Sequence, residues 1–253
     1  MKKIISAVLL MMLLAVQQMA MATTPVPPET DVVAVYAQQK KQLYPQKEGN
    51  VSFLDTIWIY FSDNSFVQYA FIDEKPVVFS KGVYHFENGG GFITEKAKEN
   101  TSHLVINRTA KFAEKKGLRK YKSERHFELS NIGFEKLFCR DDKGKKIVAL
   151  FAGKGKQPYG DGQLIDTYWI FYDDMTFTQY ACPECYPELF SEGTYSLSDG
   201  GNFDYSVNKK DYGKITINRT KKLQAGHTYA DYVSSHTYKL HTLGFELLVL
   251  QKE

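Results

Sequence analysis

Two stretches of this chain are near copies of each other. Asp55-Thr-Ile-Trp-Ile-Tyr-Phe-Ser-Asp-Asn-Ser-Phe-Val-Gln-Tyr-Ala70 returns 111 positions later as Asp166-Thr-Tyr-Trp-Ile-Phe-Tyr-Asp-Asp-Met-Thr-Phe-Thr-Gln-Tyr-Ala181. From 55 to 142, 30 of 88 positions match at that spacing without a gap, a strong repeat signal. Each copy opens on an apolar run of five, 57–61 or 168–172, then meets a cluster of Ser, Asp, Asn or Met, then turns apolar again. A short continuous apolar run suits a strand covered on both faces, and Asp and Asn accept turn backbone angles. Both copies are therefore expected to be β-hairpins. A two-residue loop at 63–64 would set Phe61 opposite Phe66, Ile59 opposite Gln68 and Trp58 opposite Tyr69, with Trp169 opposite Tyr180. Met175 stands where Asn64 stands in the first copy, which predicts a wider turn there.

The echo extends beyond the hairpin. Val33–Ala37 returns at Val148–Ala152, Phe79–Tyr84 at Phe190–Tyr195, Gly89-Gly90 at Gly200-Gly201, Ile106–Thr109 at Ile217–Thr220, and Gly133–Glu135 at Gly244–Glu246. The order of these segments gives two whole copies, 32–140 and 141–253. Each offers six to eight short strands. The predicted fold class is all-β, two tandem antiparallel barrel or sandwich units related by internal duplication. Gln38 to Asn50 is polar and broken by Tyr-Pro, and reads as a loop. The basic run 111–125 also reads as a solvated loop, present in one copy only. The Gly of Phe-Ser-x-Gly-x-Tyr predicts a bulge.

The first 22 residues have a basic start, an apolar core from Ile4 to Val16 and an Ala20-Met-Ala22 end, the pattern of a signal peptide cleaved near Ala22. Residues 23–31 hold three prolines and read as an extended linker. A periplasmic or secreted protein is expected. No other apolar stretch is long enough for a membrane span. The chain has 32 basic and 29 acidic residues, and loss of Lys2 and Lys3 leaves 30 against 29. That near-neutrality argues against a nucleic-acid partner, which needs a strongly basic surface.

Trp58, Asp63, Ser65, Phe66, Gly82, Tyr84 and Arg108, with Trp169, Asp174, Thr176, Phe177, Gly193, Tyr195 and Arg219 in the second copy, resemble the pattern of lipocalin-like, calycin-type bacterial barrels. The unit is shorter than a true lipocalin and lacks its Gly-x-Trp start. The resemblance implies a non-enzymatic binding protein for a small, apolar ligand, without a cofactor. A solid module that contacts an envelope protein is the alternative. An arginine among apolar neighbours can stack on a tryptophan or clamp an anion. Candidate ligand-binding residues are Trp58, Tyr60, Gln68 and Arg108 in the first copy and Trp169, Gln179 and Arg219 in the second.

Cys182-Pro-Glu-Cys185 is the sharpest local motif. In an oxidising compartment a disulfide clamping its loop is expected, with metal or redox use as alternatives. Cys139 reads as a small apolar residue or an intermolecular thiol. His227, His236 and His241 could join the cysteine pair around zinc, though their spacing fits no standard site. The recurring Asp55, Asp166, Glu135 and Glu246 could serve as paired carboxylates, but strand starts and turns more often expose or cap such residues.

Overall fold

The apolar runs at 57–61 and 168–172 become strands with no wet face. A computed structural model describes residues 30–45, 51–92, 101–113, 116–131, 133, 135–159, 162–182, 186–204, 213–224 and 228–251. Its first sheet contains β1 (Val32–Pro45), β2 (Val51–Phe61), β3 (Ser65–Ile72), β4 (Lys75–Phe86), β5 (His103–Ala113), β6 (Gly117–Glu128) and β7 (Glu135–Cys139). The second contains β8 (Ile147–Tyr159), β9 (Gln163–Tyr172), β10 (Thr176–Ala181), β11 (Glu188–Ser198), β12 (Lys214–Leu223), β13 (Tyr229–Lys239) and β14 (Glu246–Leu250). One helical turn, Arg140–Lys143, joins them. Both sheets are antiparallel throughout and share one order: β6-β5-β4-β3-β2-β1-β7 and β13-β12-β11-β10-β9-β8-β14.

That order forces each sheet to curl. β6 and β7 are the two edges, yet only residues 129–134 connect them. Seven Cα steps reach at most about 25 Å. Six strand spacings in a flat sheet would need about 29 Å. The sheet therefore bends until Tyr36, Trp58, Tyr60, Phe66, Tyr84 and Ile106, from five strands, meet in one aromatic core on its concave side. Trp169, Phe171, Phe177, Tyr195 and Ile217 do the same in the second sheet. The edges approach without pairing, so neither sheet closes, and the barrel form of the expectation gives way to two curled, open sheets.

The alternate residues of the same runs point the other way. Ile57, Ile59 and Phe61 join Tyr168, Ile170 and Tyr172 in a core shared by both sheets. The convex faces pack together, which is why β2 and β9 are buried on both sides. The contact is reciprocal. The β1–β7 register skips Leu137 and the β8–β14 register skips Leu248. Such bulges take a residue out of the ladder. The Tyr180 hydroxyl donates to the Leu137 carbonyl at 2.7 Å, and the Tyr69 hydroxyl donates to the Leu248 carbonyl at 3.0 Å. Each sheet thus supplies the donor for the other's bulge. Lys154 adds a one-sided tie, 2.6 Å from Asp55 and 3.4 Å from Asp166.

Several expectations are corrected by the backbone. The hairpin loop has three residues, 62–64, so Tyr60 faces Phe66, Trp58 faces Gln68 and Ile57 faces Tyr69. In the second copy Trp169 faces Gln179 and Tyr168 faces Tyr180. The third loop residue takes a left-handed angle in both copies, Asn64 at φ 64° and Met175 at φ 61°, so the second turn is not wider. A turn ending in such a residue is a common three-residue hairpin loop. Residues 38–45 continue β1 rather than forming a loop, across an irregularity between Gln38 and Gln42. The basic run 111–125 is a hairpin of β5 and β6, not a solvated loop. Arg119, Lys120, Lys122 and Arg125 lie on the edge strand β6, where such charges discourage pairing with another chain. Asp55 is neither a cap nor exposed: it is buried against Lys154, while Asp166 is half-buried and accepts the Gly155 amide.

The Gly-x-Tyr spacing that both sheets share has a local cause. A Cβ on Gly82 would lie 2.0 Å from the Asn107 carbonyl oxygen, and one on Gly193 would lie 1.9 Å from that of Asn218. The bulge expected at this glycine is present, as a register shift between β4 and β5 or β11 and β12. Two residues on, Tyr84 donates to the Phe61 carbonyl and Tyr195 to that of Tyr172, tying β4 and β11 to the ends of β2 and β9.

Candidate functional site

Arg108 and Arg219 occupy matching places on the concave faces. The Arg108 guanidinium lies 5.3 Å from the Trp58 ring centre, and that of Arg219 lies 5.5 Å from Trp169. Each is steered by a serine. Arg108 Nε donates to Ser80 Oγ at 3.2 Å, and Arg219 Nε donates to Ser191 Oγ at 3.3 Å. The serine hydroxyls donate to Gln68 Oε1 and Gln179 Oε1, each at 2.7 Å. The two amides then donate to Gln42 and Gln157. Gln179 also donates to Thr167. A relay of Gln, Gln, Ser and Arg thus ends on an indole face in each sheet. Buried amides of this sort need partners, and here they find them within the wall.

The sequence brought Trp58, Gln68 and Arg108 to notice, and Trp169, Gln179 and Arg219 with them. It missed Ser80, Ser191, Gln42 and Gln157. The serines stand inside the repeated Phe-Ser-x-Gly-x-Tyr segment, and Gln42 and Gln157 keep the 115-residue spacing of the Val-Ala strand. Those two offsets were the available signal. The off-by-one register also misassigned Gln68, which shares its face with Trp58 and not with Ile59.

Tyr60 lies deeper. Its ring packs at 6.3 Å on Trp58, 5.1 Å on Tyr84 and 4.8 Å on Phe92. Its hydroxyl is buried and takes no hydrogen bond among the described residues. Burial foremost, then the neighbouring Tyr36, pushes that hydroxyl well above the usual tyrosine pKa. Burial, and then the Arg125 charge, lowers the Arg108 pKa, though a guanidinium stays charged at any physiological pH.

In the second sheet the relay opens onto a cavity of about 420 Å³. Its floor is Phe151, Trp169, Phe171, Phe190, Ile217 and Phe245, and Arg219, Lys222 and His236 stand around it. The volume falls within the range of small-molecule sites. Residues of the edge strand β13 and of the connection to β14, Leu243 and Phe245 among them, form part of the wall, so the cavity lies along the unpaired seam. Of the three candidates in this copy, Trp169 and Arg219 line it. Gln179 does not: it sits fully buried behind Ser191.

The remaining candidates do not converge. Cys182 is buried at the end of β10, and Cys185 lies outside the described residues, as do His227 and the His241 side chain. Cys139 is buried in the first concave core, which suits its reading as a small apolar residue and not as an intermolecular thiol. Among the described residues, no three His, Cys, Asp or Glu side chains gather closely enough to hold a metal ion. No helix among them is long and apolar enough to cross a membrane. Residues 1–29, where the signal peptide and most of the linker are expected, lie outside the described residues. The chain matches no family model, no curated protein and no solved structure.

Proposed function

We propose that this is an exported, non-enzymatic binding protein, and that the concave face of its second sheet takes up a small, largely apolar ligand. The observation that carries this reading is the aromatic cavity over the Trp169–Arg219 pair. Ligand sites are typically concave, mostly apolar and furnished with a few convergent polar groups. The shared strand order, the matched relays and the reciprocal tyrosine bonds support an origin by duplication of one unit. The curled sheet with an aromatic floor supports a lipocalin-like relationship.

Native mass spectrometry of the protein purified from the periplasm or medium tests the reading. The expected result is a small apolar molecule that co-purifies, or uptake of the neutral dye Nile red that Ile217→Phe weakens by partly filling the cavity. A folded protein that carries no small molecule and takes up no dye would overturn it. The alternative, a solid module that docks on an envelope protein, draws on Phe53 and Leu164. Both hold the same place near the start of β2 and β9, and both are more than half exposed. Retention of an intact second protein in place of a small molecule would favour that alternative.

A further inference from the structure

The cavity wall is lopsided in its hydrogen-bonding chemistry. Arg219, Lys222 and His236 line it, and among the described residues no aspartate or glutamate does. Arg219 donates through Nε to Ser191. Among the described residues its two terminal nitrogens take no hydrogen bond. The Trp169 indole N–H is buried and meets no acceptor among the described residues. Lys222 extends over the Phe190 and Tyr232 rings, with Nζ 5.3 and 5.2 Å from their centres. The acceptor that Gln157 could offer is taken by the Gln179 amide, and the Thr242 hydroxyl donates to the Lys239 carbonyl. The wall therefore presents unmatched donors and positive charge above aromatic rings.

A purely hydrocarbon ligand would strip water from those donors and return nothing, at a real desolvation cost. A ligand that brings an anionic acceptor would satisfy them. The guanidinium is flat and offers paired N–H groups, which match the two oxygens of a carboxylate. Low-dielectric aromatic walls strengthen that attraction. Resting on the apolar-cavity reading above, we infer that the second-sheet site selects an amphiphile: an apolar body against Trp169, Phe171 and Phe190, and a carboxylate held by Arg219, with Lys222 adding charge.

The test compares decanoate with decan-1-ol by titration calorimetry on the full mature chain, below the micelle concentration. The two share a tail and differ at the head. Decanoate is expected to bind about 10- to 100-fold tighter, the range of a charge-assisted hydrogen bond. Arg219→Gln should cost decanoate far more than decan-1-ol and close most of the gap between them, the remainder being the charge of Lys222. Near-ultraviolet circular dichroism checks that this variant is folded. Lys222→Gln, which leaves the Arg219–Ser191 bond in place, should produce a smaller loss of the same kind. Equal binding of acid and alcohol to the wild-type protein would overturn the carboxylate inference and leave the apolar cavity standing. Binding of neither would overturn both.

Discussion

The reciprocal tyrosine caps offer the sharpest test of how the two sheets are held together. Tyr69→Phe and Tyr180→Phe each keep the ring and remove only the hydroxyl that reaches the bulge carbonyl of the other sheet. Leu248 and Leu137 are both almost fully buried, so no water replaces the lost donor. An unsatisfied buried acceptor costs about 1–3 kcal/mol. The two bonds share no residue, so the double variant should lose roughly twice that, about 2–6 kcal/mol. For a chain of this size each kcal/mol lowers Tm by about 2–4 °C. Urea denaturation followed by tryptophan fluorescence reads the loss at pH 7. Alkaline pH adds a second reading. Burial pushes the hydroxyls of both tyrosines up to about 12. An unfolded tyrosine titrates near 10. A folded-state pKa raised in this way gives stability that is complete below pH 10 and is lost as pH rises toward 12. Phenylalanine has nothing to lose there, so the gap between wild type and double variant should narrow over that range. A double variant within about 0.5 kcal/mol of wild type, or a gap that widens with pH, would refute the capping argument.

Two further substitutions probe the strand packing and the Lys154 ion pair. Gly193→Ala would press a methyl group into the Asn218 carbonyl at 1.9 Å, and β11 cannot retreat without parting from β12. A loss of about 2 kcal/mol or more is expected in thermal melts, and Gly82→Ala should match it. Lys154→Met would remove the ammonium that faces the buried Asp55 carboxylate. Breaking a fully buried pair costs about 3–5 kcal/mol, and the partial exposure of Lys154 reduces this to about 2 kcal/mol. Asp55→Asn added to that variant should recover most of the loss. Burial alone would lower the Lys154 pKa, but the hydrogen bond it donates to Asp55 and the charges of Asp166 and Asp55 raise it overall. The pair's contribution is therefore present below the ordinary lysine range and disappears as pH climbs through the raised value, which denaturation above pH 10 would reveal.

Much of the fold was legible because the hydrophobic pattern was unambiguous. Five apolar residues in a row at 57–61 and 168–172 announce two covered faces, and they have them. The arginine stacked on tryptophan was legible from its apolar neighbours. The register was not, because it depends on whether Asn64 and Met175 adopt a left-handed angle, and methionine gives no sign that it will. The extension of β1 to Pro45 and the β5–β6 hairpin were hidden by composition. Arg119, Lys120 and Lys122 look like loop residues until an edge strand lets their side chains reach water, and Gln42 looks like one until it meets Gln68. The serine and glutamine links of the relay were hidden for the opposite reason. Small or neutral polar residues carry no distinctive pattern, and only three-dimensional proximity shows that Ser191 aims Arg219. Closure was also beyond the sequence, since a curled sheet and a sealed barrel share the same alternation.

The unzipped seam between β13 and β14 bears on what the cavity can hold. A sealed cylinder has a circumference set by its ladder, and it can expand only by breaking backbone hydrogen bonds. Here one side of the container includes Leu243, Phe245 and Tyr238, side chains that a bulkier guest can displace while every rung of the ladder stays intact. The chamber behaves less like a bottle of fixed bore than like a clasp, whose grip widens with what is put in it.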